Sequence, residues 1–332
     1  MSEMKRNPEA VAEAIRGAQR IAICSHVNPD GDTIGCALAM RLGLQAMGKE
    51  VQVFCHDKVP DNLMFLPGAG EIRNPEHNTD CFDLMLAVDV SDRERLASCK
   101  SLLERSAQTA QIDHHPTNPL YMEVNSVDGK APAACILVYE QLKTLGVPMT
   151  REIAMCLYTG ISTDTGNFSF SATNAEAFAI MSELMKADLP LSEMSRILFR
   201  ERSRAQLKLM GKAISSLRFE GKEGRIAVMT LTRQDFRDCG AQNEHADTIV
   251  NLGLETTGTQ MALLGREDEP GTVKFSLRAK SPQRIDDVAQ RLGGGGHPQA
   301  SGVTMKGTLE EATRKVAAAM AEKLENSDER LL

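Results

Sequence analysis

Apolar residues in the first half of the chain come in short runs, separated by polar loops and by stretches with helical spacing. The runs at residues 20–25, 51–55, 82–90 and 110–113 predict strands, the third being the most apolar. Helices are predicted at 8–19, with Pro8 in the first turn, at 35–47, closed by Gly48, and at 131–145 and 151–163. Thr173 and Glu176 have capping-box spacing for a further helix reaching Lys186. Strands interleaved with helices in this way predict an α/β fold with a doubly wound parallel sheet, and such sheets bind ligands beyond the carboxyl ends of their strands.

Asp188-Leu189-Pro190 interrupts the rhythm. A single charged helix is predicted after it, carrying Arg196, Arg200, Arg202, Arg204, Lys208 and Lys212. Strand-like runs at 225–231, 260–265 and 273–278 and helices near 246–254, 285–291 and 309–324 follow, which predict a smaller C-terminal α/β domain. The expected organisation is a first domain over 1–188, a linker helix over 189–215 and a second domain over 216–332.

Composition adds limits. A chain of 332 residues with 42% hydrophobic and 25% charged positions is ordinary for about two soluble domains. No apolar run approaches the ~18 residues of a membrane span, and the N-terminus has no signal-peptide core, so a cytoplasmic protein with no membrane partner is expected. The eight cysteines include no Cys-x-x-Cys pair, which disfavours a zinc ribbon and suits reduced cytosol. A net charge of −7 with no tryptophan argues against a protein that coats long nucleic acid. A small anionic substrate stays open, because bound cations would invert the local field.

Four polar clusters are expected at strand ends. They are Ser25-His26-Val27-Asn28-Pro29-Asp30-Gly31-Asp32; Asp89 with Asp92; Asp113-His114-His115-Pro116; and Ser162-Thr163-Asp164-Thr165-Gly166. Singly, each could be a capped turn. Jointly, carboxylates and imidazoles converging on one crevice make a mixed oxygen and nitrogen ligand set, suited to Mn²⁺, Fe²⁺ or Zn²⁺, with no thiolate expected nearby. Two cations roughly 3.5–4 Å apart can clamp the attacking and leaving oxygens of an in-line phosphoryl displacement.

His26-x-x-x-Asp30-x-Asp32, Asp89, Asp113-His114-His115 and Asp164 resemble the four motifs of the DHH phosphoesterase superfamily. Gly293-Gly294-Gly295-Gly296-His297 resembles the glycine-rich signature of its associated DHHA1-type substrate domain. The two-domain plan is most similar to the branch of bifunctional oligoribonucleases and 3′-phosphoadenosine-5′-phosphate (pAp) phosphatases. The resemblance implies two divalent metal ions, Mn²⁺ first, with Mg²⁺, Fe²⁺ or Co²⁺ as alternatives. It implies one held by His26, Asp30 and Asp89 and one by Asp32, Asp89, His114 and Asp164, with Asp89 bridging. His115 would face the substrate phosphate and Asp113 would orient an imidazole. Ser276, Arg278, Gly294, Gly295, Gly296 and His297 would contact substrate, Arg278 and His297 holding its terminal phosphate or base. Short RNA oligonucleotides and pAp are the implied substrates, and a homodimer is compatible with the sequence.

Other residues are weaker candidates. His56, His77 and His245 read as surface or core histidines, and Phe168 and Phe170 as packing residues at least as readily as base-stacking ones. Ser169 and Ser301 depart from the usual residues of the family at those places. Two alternatives stay open: a soluble phosphodiesterase for linear or cyclic dinucleotides, and a catalytically silent nucleotide-binding module. An inorganic pyrophosphatase shares the first-domain motifs but not the glycine run.

Overall fold

The computed structural model describes residues 5–329. The chain forms two compact units, Met1–Glu201 and Arg202–Leu332.

In the first unit, β1 (Arg20–Cys24), β2 (Glu50–Phe54), β3 (Phe82–Val88), β4 (Ser106–Asp113) and β5 (Val124–Val127) form one sheet in the order β2-β1-β3-β4-β5. Every pairing is parallel. Strand order reverses between β1 and β3, so their carboxyl ends flank a crevice at the topological switch point. Both faces are covered. Ile21 and Ile23 join the core beneath the helices, while Ala22 and Cys24 pack with Leu96, Cys99 and Leu102 of a 3₁₀ segment, Glu94–Leu102. Burial on both faces is why these strands read as continuous apolar runs.

The helices are α1 (Pro8–Gly17), α2 (Gly31–Ala46), α3 (Ala134–Thr144), α4 (Arg151–Asp164), α5 (Ala175–Met185) and α6 (Leu191–Ser195). Helix α2 buries Ile34, Leu38, Met40 and Leu44 completely, each worth about 1.5–3 kcal/mol of burial. Gly160 of α4 permits a close approach: a Cβ there would stand 2.2 Å from Cys135 Sγ and 2.5 Å from Asp32 Oδ1.

Two local expectations are corrected. Helix α5 is capped by Asn174, whose side chain accepts from Ala177 N at 3.0 Å, and not by Thr173, whose buried hydroxyl has no partner. Glu176 pairs instead with Arg6, at 2.5 and 2.8 Å. The single linker helix is broken into α6, a π turn at Arg196–Arg200, and α7 (Arg204–Ser215). Glu201 is extended, and Ser203 caps the new helix by accepting from Gln206 N at 3.0 Å. A Ser cap satisfies a first-turn donor, so a fresh helix start competes with continuation of the old one.

The second unit continues with β6 (Arg218–Glu220), β7 (Ile226–Leu231), α8 (Arg233–Cys239), α9 (Val250–Leu254), β8 (Met261–Glu269) and β9 (Thr272–Ala279). It ends with α10 (Asp286–Arg291), β10 (Gly295–His297), β11 (Ala300–Lys306) and α11 (Leu309–Glu329). Its six-stranded sheet has the order β10-β11-β9-β8-β7-β6. Only β7 and β8 pair in parallel. One face packs Val228, Leu263, Leu277 and Val303 against Val316 and Met320 of α11. The other packs Met229 and Leu264 against Leu209, Phe236 and Val250 of α7, α8 and α9. That second apolar layer takes no residue from β9, β10 or β11. Among the described residues no helix is long and apolar enough to cross a membrane.

Candidate active site

The crevice of the first unit gathers the candidates from four separate segments. Asp30 does two jobs. Its Oδ1 caps α2, accepting from Asp32 N at 3.0 Å and Thr33 N at 3.1 Å, while Oδ2 lies 3.7 Å from His26 Nε2. Asp32 is fully buried, and it caps α3 from a distance. Its carboxylate accepts from Ala134 N at 2.5 Å and Cys135 N at 3.0 Å, which suits a helix whose own N-cap, Ala133, has no acceptor side chain. Asp32 Oδ2 also stands 3.9 Å from His114 Nε2.

Asp89 sits at the centre. It follows β3 in the left-handed region (φ 58°), a conformation Asp tolerates better than most residues. Oδ2 is 3.4 Å from His26 Nε2 and Oδ1 is 3.4 Å from His114 Nε2. Oδ1 is nevertheless buried without a properly aligned hydrogen bond. His114 fixes its own orientation by donating from Nδ1 to Ala131 O at 3.0 Å, which leaves Nε2 turned inward, 3.3 Å from Asp164 Oδ2. Asp164 arrives at the C-terminal residue of α4, not at a strand end as expected, because α4 packs along α2 and delivers its end to the crevice.

His115 is held by Asp113. Its Nδ1 lies 2.8 Å from Asp113 Oδ1 and its backbone N donates to Oδ2 at 3.2 Å. Asn118 Nδ2 donates to the same carboxylate at 2.6 Å. With Nδ1 committed to Asp113, Nε2 is the ring nitrogen left for other chemistry.

Charge is concentrated here. Burial and the nearby Asp89 push Asp32 up to about 7, and burial with Asp32 pushes Asp164 up to about 8. Burial alone would lower His26, but Asp30 and Asp89 outweigh it and raise it to about 10. For His114 burial again opposes and Asp89 prevails, raising it well above the usual imidazole range. Burial opposes ionisation of Asp89 too, yet His114 and His26 hold it below the usual carboxylate range. Protons therefore balance the acids in a place where four donor groups each bring their ligand atoms within 4.8 Å of one another: His26, Asp30 and Asp89; Asp32, His114 and Asp164; Asp89, His114 and His115; and Asp32 with the protonated thiols of Cys36 and Cys135. A buried carboxylate oxygen facing two imidazoles without an aligned hydrogen bond fits a divalent cation, which would take up its lone pair.

Sequence reasoning missed several neighbours. Cys36 and Cys135 reach Asp32, with Cys36 Sγ 3.8 Å from Oδ1 and 3.4 Å from Cys135 Sγ, so thiols do stand beside the set. Asp32 and Cys36 share one face of α2 by their spacing, but nothing in the sequence announces Cys135. Burial pushes both thiols well up, so they stay protonated and act as small packing groups. Asp92 does not reach the cluster; it caps the following segment, accepting from Glu94 N at 2.8 Å and Arg95 N at 3.0 Å.

In the second unit the pleat and register bring the predicted substrate residues to one region. Lys274, Ser276 and Arg278 alternate with the buried Val273, Phe275 and Leu277. Ser276 is paired with Gly302 and Arg278 with Ala300. The glycine run is not a loose loop: β10 pairs with β11 through Gly295–Gly302, Gly296–Ser301 and His297–Ala300. A Cβ at Gly294 would meet Gly302 O at 2.1 Å and one at Gly296 would meet Ala300 O at 2.6 Å, whereas one at Gly295 would meet nothing. Two of these glycines are therefore required by β11 itself. The side chain of His297 lies outside the described residues. Burial lowers Arg278 while Asp247 opposes, and its guanidinium donates to its neighbour's carbonyl, Leu277 O, at 3.0 Å. Ser276 and Gly294 line a shallow groove of about 290 Å³ together with Arg266 and Lys274.

A parallel sheet with acids and histidines at its switch point, followed by a mixed-sheet domain with a glycine hairpin, defines a class. The sequence matches the DHH family, N-terminal domain, over residues 20–161 and the DHHA1 domain over residues 223–326, and the chain belongs to the DHH family. It is 33% identical to the bifunctional oligoribonuclease and PAP phosphatase NrnA of Thermus thermophilus, over 95% of this chain and 93% of that protein. It is 26% identical to the protein of the same name from Bacillus subtilis, over 90% of this chain and 92% of that one. Among solved structures, an exopolyphosphatase-related protein from Bacteroides fragilis superposes with a TM-score of 0.88 at 26% identity, covering 95% of each chain.

Proposed function

We propose that the protein is a divalent-metal-dependent phosphoric ester hydrolase that converts short oligoribonucleotides to nucleoside monophosphates and pAp to AMP. The observation that carries this reading is Asp89 set between His26 and His114 with one buried oxygen lacking an aligned hydrogen bond. The kinship with proteins named oligoribonuclease and PAP phosphatase, over nearly the whole chain, supports the substrate class. His26, Asp30 and Asp89 would hold one cation and Asp32, Asp89, His114 and Asp164 the other, Mn²⁺ being the best fit to mixed carboxylate and imidazole donors. When bound, the cations supply Lewis-acid neutralisation of phosphoryl oxygens and acidify water for attack. Asp113 holds the His115 ring so that Nε2 can donate a proton to the leaving oxygen or a hydrogen bond to the phosphoryl group. Arg278 and Ser276 would bind the substrate's phosphate or base from the sheet of the second unit, with Gly295, the glycine open to approach, near them. Free cysteines, with no disulfide among the described residues, suit a reduced cytoplasm as its place of work.

The test measures phosphate and mononucleotide release from pAp, a 5′-phosphorylated RNA trimer, and linear and cyclic diadenylate, in Mn²⁺ with a chelator control. Turnover of pAp and the trimer that the chelator abolishes is the expected result. Turnover confined to the dinucleotides would replace the reading with a signalling phosphodiesterase, and silence on all four would leave a binding module. Asp89→Ala should lose metal at both sites; full metal content in that variant would refute its bridging role.

A further inference from the structure

Arg95 stands beside His26, and among the described residues no carboxylate lies within ion-pair distance of its guanidinium, Asp92 acting on it only through its field. Its backbone is tied at both ends: Arg95 N donates to Asp92 Oδ1 at 3.0 Å, and Arg95 O accepts from Val27 N at 2.9 Å. The side chain is half-buried, its Nη2 lies 2.9 Å from His26 Nδ1, and its Nε is buried with no acceptor. Acids are abundant in this crevice, yet among the described residues none forms an ion pair with this guanidinium. An arginine held against an acid-rich centre and left without an acid is free for another anion.

His26 sharpens the point. Its Nδ1 also lies 2.8 Å from Val27 O. A carbonyl only accepts and a guanidinium only donates, so the ring nitrogen can satisfy one neighbour and not both. An imidazole that turns its Nε2 lone pair toward a cation shared with Asp30 and Asp89 carries its proton on Nδ1 and gives it to Val27 O. With that proton on Nδ1, Nη2 of Arg95 has no acceptor there, and Nε has none either. Nε and Nη2 form the guanidinium edge whose two parallel donors match two oxygens of one phosphate.

We infer that Arg95 is a substrate-phosphate ligand of the first unit, its Nε/Nη2 edge gripping two oxygens of the substrate's phosphate once His26 is committed to a cation. The assignment rests on the phosphoesterase reading above. It differs from a propping role for His26 in what it predicts for phosphate binding at constant metal content.

The experiment compares Arg95→Gln and Arg95→Lys with the wild-type chain, loaded with Mn²⁺. It reads metal content, thermal unfolding, affinity for inorganic phosphate and for AMP by calorimetry, and KM and kcat on pAp. In the Gln variant metal content is retained, while phosphate affinity falls and KM rises by about tenfold or more; the Lys variant falls between, having charge but no fork. Phosphate affinity and KM within about twofold of wild type in Arg95→Gln would overturn the assignment. So would loss of metal that accounts for the whole effect. Should the Gln variant fail to fold, the Lys variant decides on the same readings. A wild-type chain that binds phosphate through Arg95 but turns over neither pAp nor RNA would sink the hydrolase reading and leave the ligand in place.

Discussion

The polar regions of the two units are built on opposite terms. In the first unit several candidate site residues also hold the fold. Asp30 caps α2, Asp32 satisfies the start of α3, and Asp113 fixes both His115 and Asn118. In the second unit Ser276 and Arg278 are half-buried, and the hydrogen bond of the Arg278 side chain goes no further than its neighbour's carbonyl. Altering Asp30, Asp32 or Asp113 touches stability, whereas altering Ser276 or Arg278 should not. Burial explains the difference: a carboxylate taken out of water must have its lone pairs met, by backbone amides at Asp30 and Asp32 and by Asn118 and His115 side chains as well at Asp113.

The largest expected effect tests that overlap. Asp32→Ala should abolish measurable turnover of pAp and lower the metal content. It should also cost about 1–3 kcal/mol of stability, because Ala134 N and Cys135 N lose their acceptor. Thermal and denaturant unfolding of the metal-free proteins read the second part. A variant that is inactive yet as stable as wild type would separate site from scaffold and break the comparison.

Metal removal gives the next effect, through protons. Without cations, burial and neighbouring acids hold Asp164 at about 8 and Asp32 at about 7, and the acids raise His26 to about 10. These groups keep protons at neutral pH and must give them up to ligate, so cation uptake releases protons and weakens as pH falls. Calorimetry in two buffers of different ionisation enthalpy should find at least about one proton released per chain at pH 7. No release would mean that the acids are not the ligands. The second unit offers no comparable cluster among the described residues, and its anion binding should lack this signature.

How far the sequence could be read follows from the same contrast. Strands β1 and β3 were plain because both of their faces are buried, and the polar residues that end them stand out against the apolar run. Strand β5, Val-Asn-Ser-Val, pairs only with β4 and has no such run, so it went unseen. The 3₁₀ segment that presents Arg95 has neither period, which is why Arg95 escaped notice while His26 did not. Asn174 lost to Thr173 because Thr-x-x-Glu matches a capping box on paper, although the Glu176 carboxylate was claimed by Arg6, far away in sequence. Strand β11 follows the glycine run directly, and the run masked the hairpin it helps to form.

On the second unit, Arg278→Gln should raise KM for pAp by about tenfold or more with metal content unchanged. Its stability should stay within about 0.5 kcal/mol of wild type, since the side chain makes no long-range bond that the fold needs. A melting temperature lowered as much as in Asp32→Ala would show that Arg278 is part of the scaffold after all. Unchanged KM would remove it from the substrate face.

The smallest effect is the sharpest for the glycine hairpin. Gly294→Ala drives a methyl to 2.1 Å from Gly302 O, a contact no backbone tolerates, so β10 must shift away from β11 and the unit should lose stability. Gly295→Ala meets nothing, and its φ lies outside the left-handed range, so the fold should ignore it. Gly295 is exposed, and what keeps it a glycine then has to come from outside the fold. If a ligand's phosphate approaches that backbone, the methyl stands in its way, and KM should rise a few-fold while the melting temperature holds. Equal KM in the wild-type and Gly295→Ala proteins would reduce the run of glycines to packing at Gly294 and Gly296, and the second unit would then bind substrate through side chains such as Ser276 and Arg278.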